Sequence, residues 1–450
     1  MKESRYNIWV ARPDGHYVYN GIGGALLRVP TEDYRAVKAF LGGEPGATCR
    51  PALLVELARG RMLVPDELDE LELLATRYRA SRYDTSHFAL TIVTSLGCNF
   101  DCPYCFEAKH PSIMKPDVQE AVLQILDDKL PTIKSFHVAW YGGEPLVGKQ
   151  PLLALSDAFI ERCDRVEVAY SADITTNGYL LDEETCKQLR DRRVASAQIT
   201  LDGPPEVHDR MRPLAGGGST FWRIVENLHH VVNYLGVAIR VNVDAENFPR
   251  VEELLRILAD EGLASKLSIY PGQIVAVDDG VPAPSTNYHA RCFSKREFAE
   301  AELRFQELAQ RYGFPLGSLP QPVPTPCTAV RANELVVGSY GELYKCWESV
   351  GNHLEVIGDI RHYQQAGGRM QKWLKYDPFT DEECRGCVAL PVCMGGCAAH
   401  AMDPNQHDNR CETFRHTYRE QVLGFVDRAE QEQVSSSAAP SRSARPVEPR

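Results

Sequence analysis

The stretch Phe88-Ala89-Leu90-Thr91-Ile92-Val93-Thr94 runs, four residues on, into Cys98-Asn99-Phe100-Asp101-Cys102-Pro103-Tyr104-Cys105, an apolar run followed by cysteines spaced CxxxCxxC. Three thiolates can hold a cubane iron–sulfur cluster and leave its fourth iron open to another ligand. A closed structural zinc site would use four protein ligands instead. An order of strand, cysteine loop and helix puts the thiols at the C-terminal end of a strand, where parallel α/β folds bind their ligands.

Working outward, strand-like runs recur at 88–94, 136–140, 168–175, 197–201, 238–243 and 267–270, with helix-like segments between them. The clearest helix places Phe221, Ile224, Val225, Leu228, Val232 and Leu235 on one face. Six alternations with connections of one hand predict an α/β fold, a partial (β/α)6 barrel over residues 86–275. Residues 1–85 read as a small α+β N-terminal domain. The turn Pro13-Asp14-Gly15 joins two strands of a hairpin, and a third strand starts at Ala25. Thr31 is the expected N-cap of the first of three helices, the others lying near 53–61 and 67–82. Residues 276–326 read as a bridging helix and proline-rich linker, 327–430 as a cysteine-rich extension, and 431–450 as a disordered tail.

The strand ends carry polar and flexible residues. Tyr141-Gly142-Gly143-Glu144-Pro145 follows the second strand, and its glycines let backbone approach a ligand closely. Exposed carbonyls and the Glu144 carboxylate suit a cationic amino group. Asn177 ends the third strand; Thr200 and Asp202 end the fourth. Arg212, in His208-Asp209-Arg210-Met211-Arg212, is placed to pair with a carboxylate or to hold a loop. Asn242 ends the fifth strand, and Tyr104 in the cysteine loop can pack on a base or shield the thiols.

A second cysteine set follows the linker: Cys327-x13-Gly341-x4-Cys346, then Cys384-x2-Cys387-x5-Cys393-x3-Cys397-x13-Cys411. Cys384 to Cys397 alone would suit a zinc ribbon. Adding Cys327, Cys346, Cys411 and the N-terminal triplet favours iron–sulfur. With CxxxCxxC and GGEP, this pattern resembles radical S-adenosylmethionine (radical SAM) enzymes that carry a C-terminal SPASM extension. The resemblance implies a radical SAM barrel binding one 4Fe-4S cluster through Cys98, Cys102 and Cys105. It implies SAM contacts from Tyr104, Gly142, Gly143, Glu144, Asn177, Thr200, Asp202, Arg212 and Asn242. It also implies two auxiliary 4Fe-4S clusters, one on Cys384, Cys387, Cys393 and Cys411, the other on Cys327, Cys346 and Cys397. The second is one ligand short. Cys292 is the candidate eighth ligand, with a packed, non-ligating cysteine as the alternative. Cys49, Cys163 and Cys186 match no ligand spacing.

In that family, one-electron reduction of SAM yields a 5′-deoxyadenosyl radical that abstracts hydrogen from a substrate. The expected function is a maturase acting on a ribosomally synthesised precursor peptide, through a thioether or carbon crosslink. Residues 1–85 would bind the peptide's leader, and flavodoxin or ferredoxin would donate electrons. An anaerobic sulfatase-maturating enzyme is the alternative, but the aspartate expected after the SPASM cysteine is replaced by Trp347. A non-catalytic iron–sulfur or zinc-binding interaction protein is the third reading. No catalytic base is assigned. A net charge of −12 argues against nucleic-acid partners, and the lack of a long apolar stretch argues against a membrane span. With no secretory signal at its start, the chain reads as cytoplasmic, which favours metal ligands over disulfides.

Overall fold

In the computed structural model the described residues are 1–275, 283–288, 292–365 and 367–438. Parts of the expected linker (276–282 and 289–291) and of the expected tail (439–450) lie outside them.

The strands in chain order are β1 (Lys2–Glu3), β2 (Asn7–Arg12), β3 (Gly15–Asn20), β4 (Ala25–Val29), β5 (Leu63–Val64), β6 (His87–Ser95), β7 (Ser135–Gly142), β8 (Ala169–Thr176), β9 (Val194–Thr200), β10 (Gly236–Val243), β11 (Ser268–Gln273), β12 (Glu334–Val337), β13 (Glu342–Tyr344) and β14 (Gly358–Asp359). Strands β6 to β11 pair in parallel and in sequence order, as the alternating apolar runs predict. One face of the sheet is a continuous apolar layer, on which Leu90, Ile92, Val138, Ile174, Ile199 and Ile239 are all buried, while the other face carries half-buried polar residues such as Asp173, Gln198 and Arg240. Such a layer needs helices to cover it. The helix Phe221–Val231 does so, burying Phe221, Ile224, Val225, Leu228 and Val231, with Val232 and Leu235 just past its end.

The sheet does not stop at the barrel. β12 pairs in parallel with β6, and β13 and β14 add antiparallel strands beyond it, making nine in all. The cysteine-rich extension therefore shares a sheet with the barrel. That join was not expected, because β12 has only four residues and its partner lies more than two hundred residues away.

β2, β3 and β4 form the expected antiparallel sheet. Pro30, rather than Thr31, occupies the cap of the first helix, and no side chain bonds its N-terminus. β5 pairs with β1, an element too short to see in sequence. This N-terminal unit packs on the cysteine-rich region. Tyr6, Leu74 and Tyr78 share a core with Trp373, Phe379, Leu390 and Met394, and the Tyr78 hydroxyl donates to the Tyr376 carbonyl at 3.0 Å. The C-terminal helix Phe414–Ala438 continues past residue 431, where the tail was expected to begin.

Candidate functional site

One cavity of about 620 Å³ gathers the cysteine loop, the C-terminal ends of the barrel strands and part of the cysteine-rich region. Cys98, Cys102 and Cys105 line it together. Their loop is pinned from below: Asp101 N–H donates to the Pro213 carbonyl at 2.9 Å, and Lys109 Nζ to the Phe100 carbonyl at 2.9 Å. Burial pushes the Cys98 thiol up to about 11 and the Cys105 thiol up to about 12. Thiolates there need the compensation that a cationic metal centre supplies. The donor set and its seclusion from water fit a cluster.

The glycines of the GGEP segment also lie close against neighbouring backbone. A Cβ on Gly142 would lie 2.3 Å from the Ser95 carbonyl oxygen, and one on Gly143 2.6 Å from that of Leu96. The close approach is to the chain leading into the cysteine loop, so the pair locks that loop onto β7. Glu144 is likewise turned inward. It is fully buried, and its carboxylate accepts from Leu146 N–H at 3.0 Å, Asn177 N–H at 2.8 Å and the Thr176 hydroxyl at 2.7 Å. All three donors are protein groups, so Glu144 braces two strand ends and does not line the cavity.

Gly142, Gly143, Asn177, Thr200, Tyr104, Arg212 and Asn242 do line it. Four of the expected contacts form one network. The Tyr104 hydroxyl donates to Asp202 and accepts from Arg212 Nη1 at 2.7 Å and Asn242 Nδ2 at 3.2 Å. Asp202 also accepts the Asn242 N–H at 2.9 Å and is fully buried, so it positions Tyr104 and Arg212 from behind. Arg212 Nε is buried with no hydrogen-bond partner among the described residues, a donor suited to an anionic group in the cavity.

Sequence reasoning missed several ionisable groups lining the cavity, Glu107, Glu348 and His400 among them. Glu107 is buried, hydrogen-bonded to Tyr141 and pushed up to about 7 by burial. Glu348 and His400 come from the cysteine-rich region, and Trp347 beside them stacks on Tyr141 with ring centroids 5.6 Å apart. Only the join of β12 to β6 brings these segments over the barrel mouth, and no local spacing signals it.

The second cysteine set falls into two groups. Cys387 and Cys411 act electrostatically on both Cys384 and Cys393. Cys346 is raised well above the ordinary thiol range by burial, and Glu348, Cys397 and Cys327 act on it in the same direction. Arg415 Nη1 lies 2.9 Å from Cys411 Sγ. Cys292 packs with Val207, Met211, Ile274, Tyr104 and Tyr288, on the barrel side. Cys163 and Cys186 are fully buried among apolar side chains.

The Radical SAM superfamily profile matches residues 92–263. This chain carries a radical SAM domain. It is 23% identical over 326 residues to the serine-type anaerobic sulfatase-maturating enzyme of Klebsiella aerogenes, covering 67% of this chain and 77% of that protein. It is 26% identical over 165 residues to Fe-coproporphyrin III synthase of Methanosarcina barkeri, where the match spans 36% of this chain and 39% of the relative. The match to the serine-type sulfatase-maturating enzyme of Bacteroides thetaiotaomicron likewise spans 38% of that relative's length. Among solved structures, native anSMEcpe with bound AdoMet and Cp18Cys peptide superposes with a TM-score of 0.55 at 18% identity, over 77% of this chain and 98% of that one. That likeness concerns the fold. Radical SAM enzymes use SAM and a 4Fe-4S cluster, and no helix among the described residues is long and apolar enough to cross a membrane.

Proposed function

We propose that this radical SAM enzyme is a maturase that modifies a peptide substrate, with Cys98, Cys102 and Cys105 holding the SAM cluster and the cysteine-rich region holding two auxiliary 4Fe-4S clusters. The observation that carries the reading is the shared cavity. Its volume of about 620 Å³ lies within the range of small-ligand sites, and both the radical SAM loop and the auxiliary region line it. When bound, SAM and its cluster supply one-electron cleavage of a carbon–sulfur bond, and with it hydrogen abstraction.

The chain's own residues do the placing. The carbonyls near Gly142 and Gly143 face a cationic amino group, Arg212 faces a carboxylate, and Asn177 and Thr200 face hydroxyls. Tyr104, held by Asp202 and Asn242, closes the inner wall. Hydrogen abstraction demands near contact between the reacting atoms, and a braced wall fixes that separation. Residues 1–85 hold the leader of a precursor peptide, and a flavodoxin or ferredoxin supplies electrons.

A specific observation favours the sulfatase-maturating reading as the second candidate. Glu348, two residues beyond Cys346, brings a carboxylate to the cavity wall, so a potential base is present despite the tryptophan at 347. Anaerobic turnover of two peptides separates the readings. The proposal predicts a crosslink or thioether in a precursor peptide encoded beside this gene. Formylglycine in a sulfatase-derived peptide, with the precursor unchanged, would overturn it.

A further inference from the structure

Among the described residues, Cys397, His400 and Glu348 bring donor atoms that all lie within 4.8 Å of one another, close enough to share a metal. Cys397 caps the short helix Ala398–Met402, and His400 lies three residues on, one helical turn away and on the same side. His400 Nδ1 sits 3.4 Å from the Asn409 carbonyl oxygen. A carbonyl can only accept, so Nδ1 donates there and Nε2 is the nitrogen through which a metal would be bound. Nε2 is directed towards Glu348, whose Oε2 is 3.8 Å away. A ring fixed through one nitrogen by a backbone carbonyl, with the other bare, is the usual posture of a metal-bound histidine. The side chain is mostly shielded, at 17% exposure.

We propose that His400, through Nε2, is the fourth protein ligand of the cluster held by Cys327, Cys346 and Cys397. The assignment rests on those three cysteines sharing a cluster. Cys292 packs instead with Val207, Met211 and Ile274, whereas His400 lies beside Cys397 itself. Glu348 is 45% exposed and turned to the cavity, which leaves it available to substrate. Two consequences follow. The cluster's cavity-facing position is closed, so a substrate thiolate does not bind iron there unless the imidazole leaves. A neutral imidazole in place of a thiolate also raises the cluster's potential, as in clusters where histidine replaces cysteine.

The test uses the full chain with Cys98, Cys102 and Cys105 all changed to alanine, reconstituted anaerobically and labelled with ¹⁵N at histidine. Two four-iron clusters give roughly eight irons per chain. Iron near four or none overturns the two-cluster reading, and the His400 assignment with it. With iron near eight, electron–nuclear double resonance of the reduced protein shows a strong histidine nitrogen coupling. His400→Ala abolishes that coupling, while Glu348→Gln and Cys292→Ala keep it. Absence of the coupling at full iron, its survival in His400→Ala, or its loss in either of the other two variants overturns the assignment alone. If His400→Ala loses cluster iron, His400→Cys decides. Iron restored to near eight with a lowered midpoint potential supports ligation; unrestored iron, or an unmoved potential, contradicts it.

Discussion

His208 is fully buried, four residues from Arg212, and its Nδ1 accepts the Asp202 N–H at 3.2 Å. Burial and the Arg212 charge hold it well below the usual imidazole range, so it stays neutral in the folded chain. The unfolded chain takes up a proton at this residue below about pH 6.5. Its contribution to stability is therefore intact above that pH and declines as pH falls through it. An asparagine side chain in its place would supply an acceptor that does not titrate. Between pH 6.5 and 5.5 the wild type should lose about 1 kcal/mol more than His208→Asn, read from denaturation midpoints. Equal losses would show that the folded imidazole protonates normally. At this scale the sequence pointed to the cysteine loop and to strand-end residues that line one side of the cavity, because spacing in a contiguous motif survives folding unchanged. It did not foresee that the Glu144 and Asp202 carboxylates accept from protein neighbours, since whether a carboxylate braces its neighbours depends on where their N–H groups point.

The parallel strands β6 to β11 were legible as elements because each is a short run rich in apolar residues, most of them alternating buried with half-exposed positions. β1, β5 and β12 were not, because two to four residues carry no usable period. The N-terminal sheet matters here because it has two unlike edges. β2 is covered by the C-terminal helix, where Arg12 pairs with Asp427 at 2.8 Å and Glu430 at 3.2 Å. β4 is the opposite outer strand, and most of its residues are half-exposed. An extended leader adding to this sheet would take the β4 edge. Hydrogen exchange with a cognate precursor should show new protection in residues 25–29 and little change in residues 7–12. Protection confined to 7–12, or to neither strand, would contradict leader binding by strand addition.

In the whole molecule, three regions that read as separate units share cores and a sheet. The N-terminal unit rests on the cysteine-rich region, and β12 fastens that region to β6, carrying Trp347, Glu348 and His400 over the barrel mouth. Contacts between residues hundreds of positions apart leave no local trace in one sequence, which is why this wall of the cavity was found only in three dimensions. The radical SAM loop remains the centre of the account, and SAM cleavage tests it most directly. Anaerobic protein with a strong reductant should convert SAM to 5′-deoxyadenosine, and the Cys98, Cys102 and Cys105 triple alanine variant should lose that activity while keeping the iron of the auxiliary clusters. Undiminished 5′-deoxyadenosine formation by the triple variant would contradict the assignment of the site.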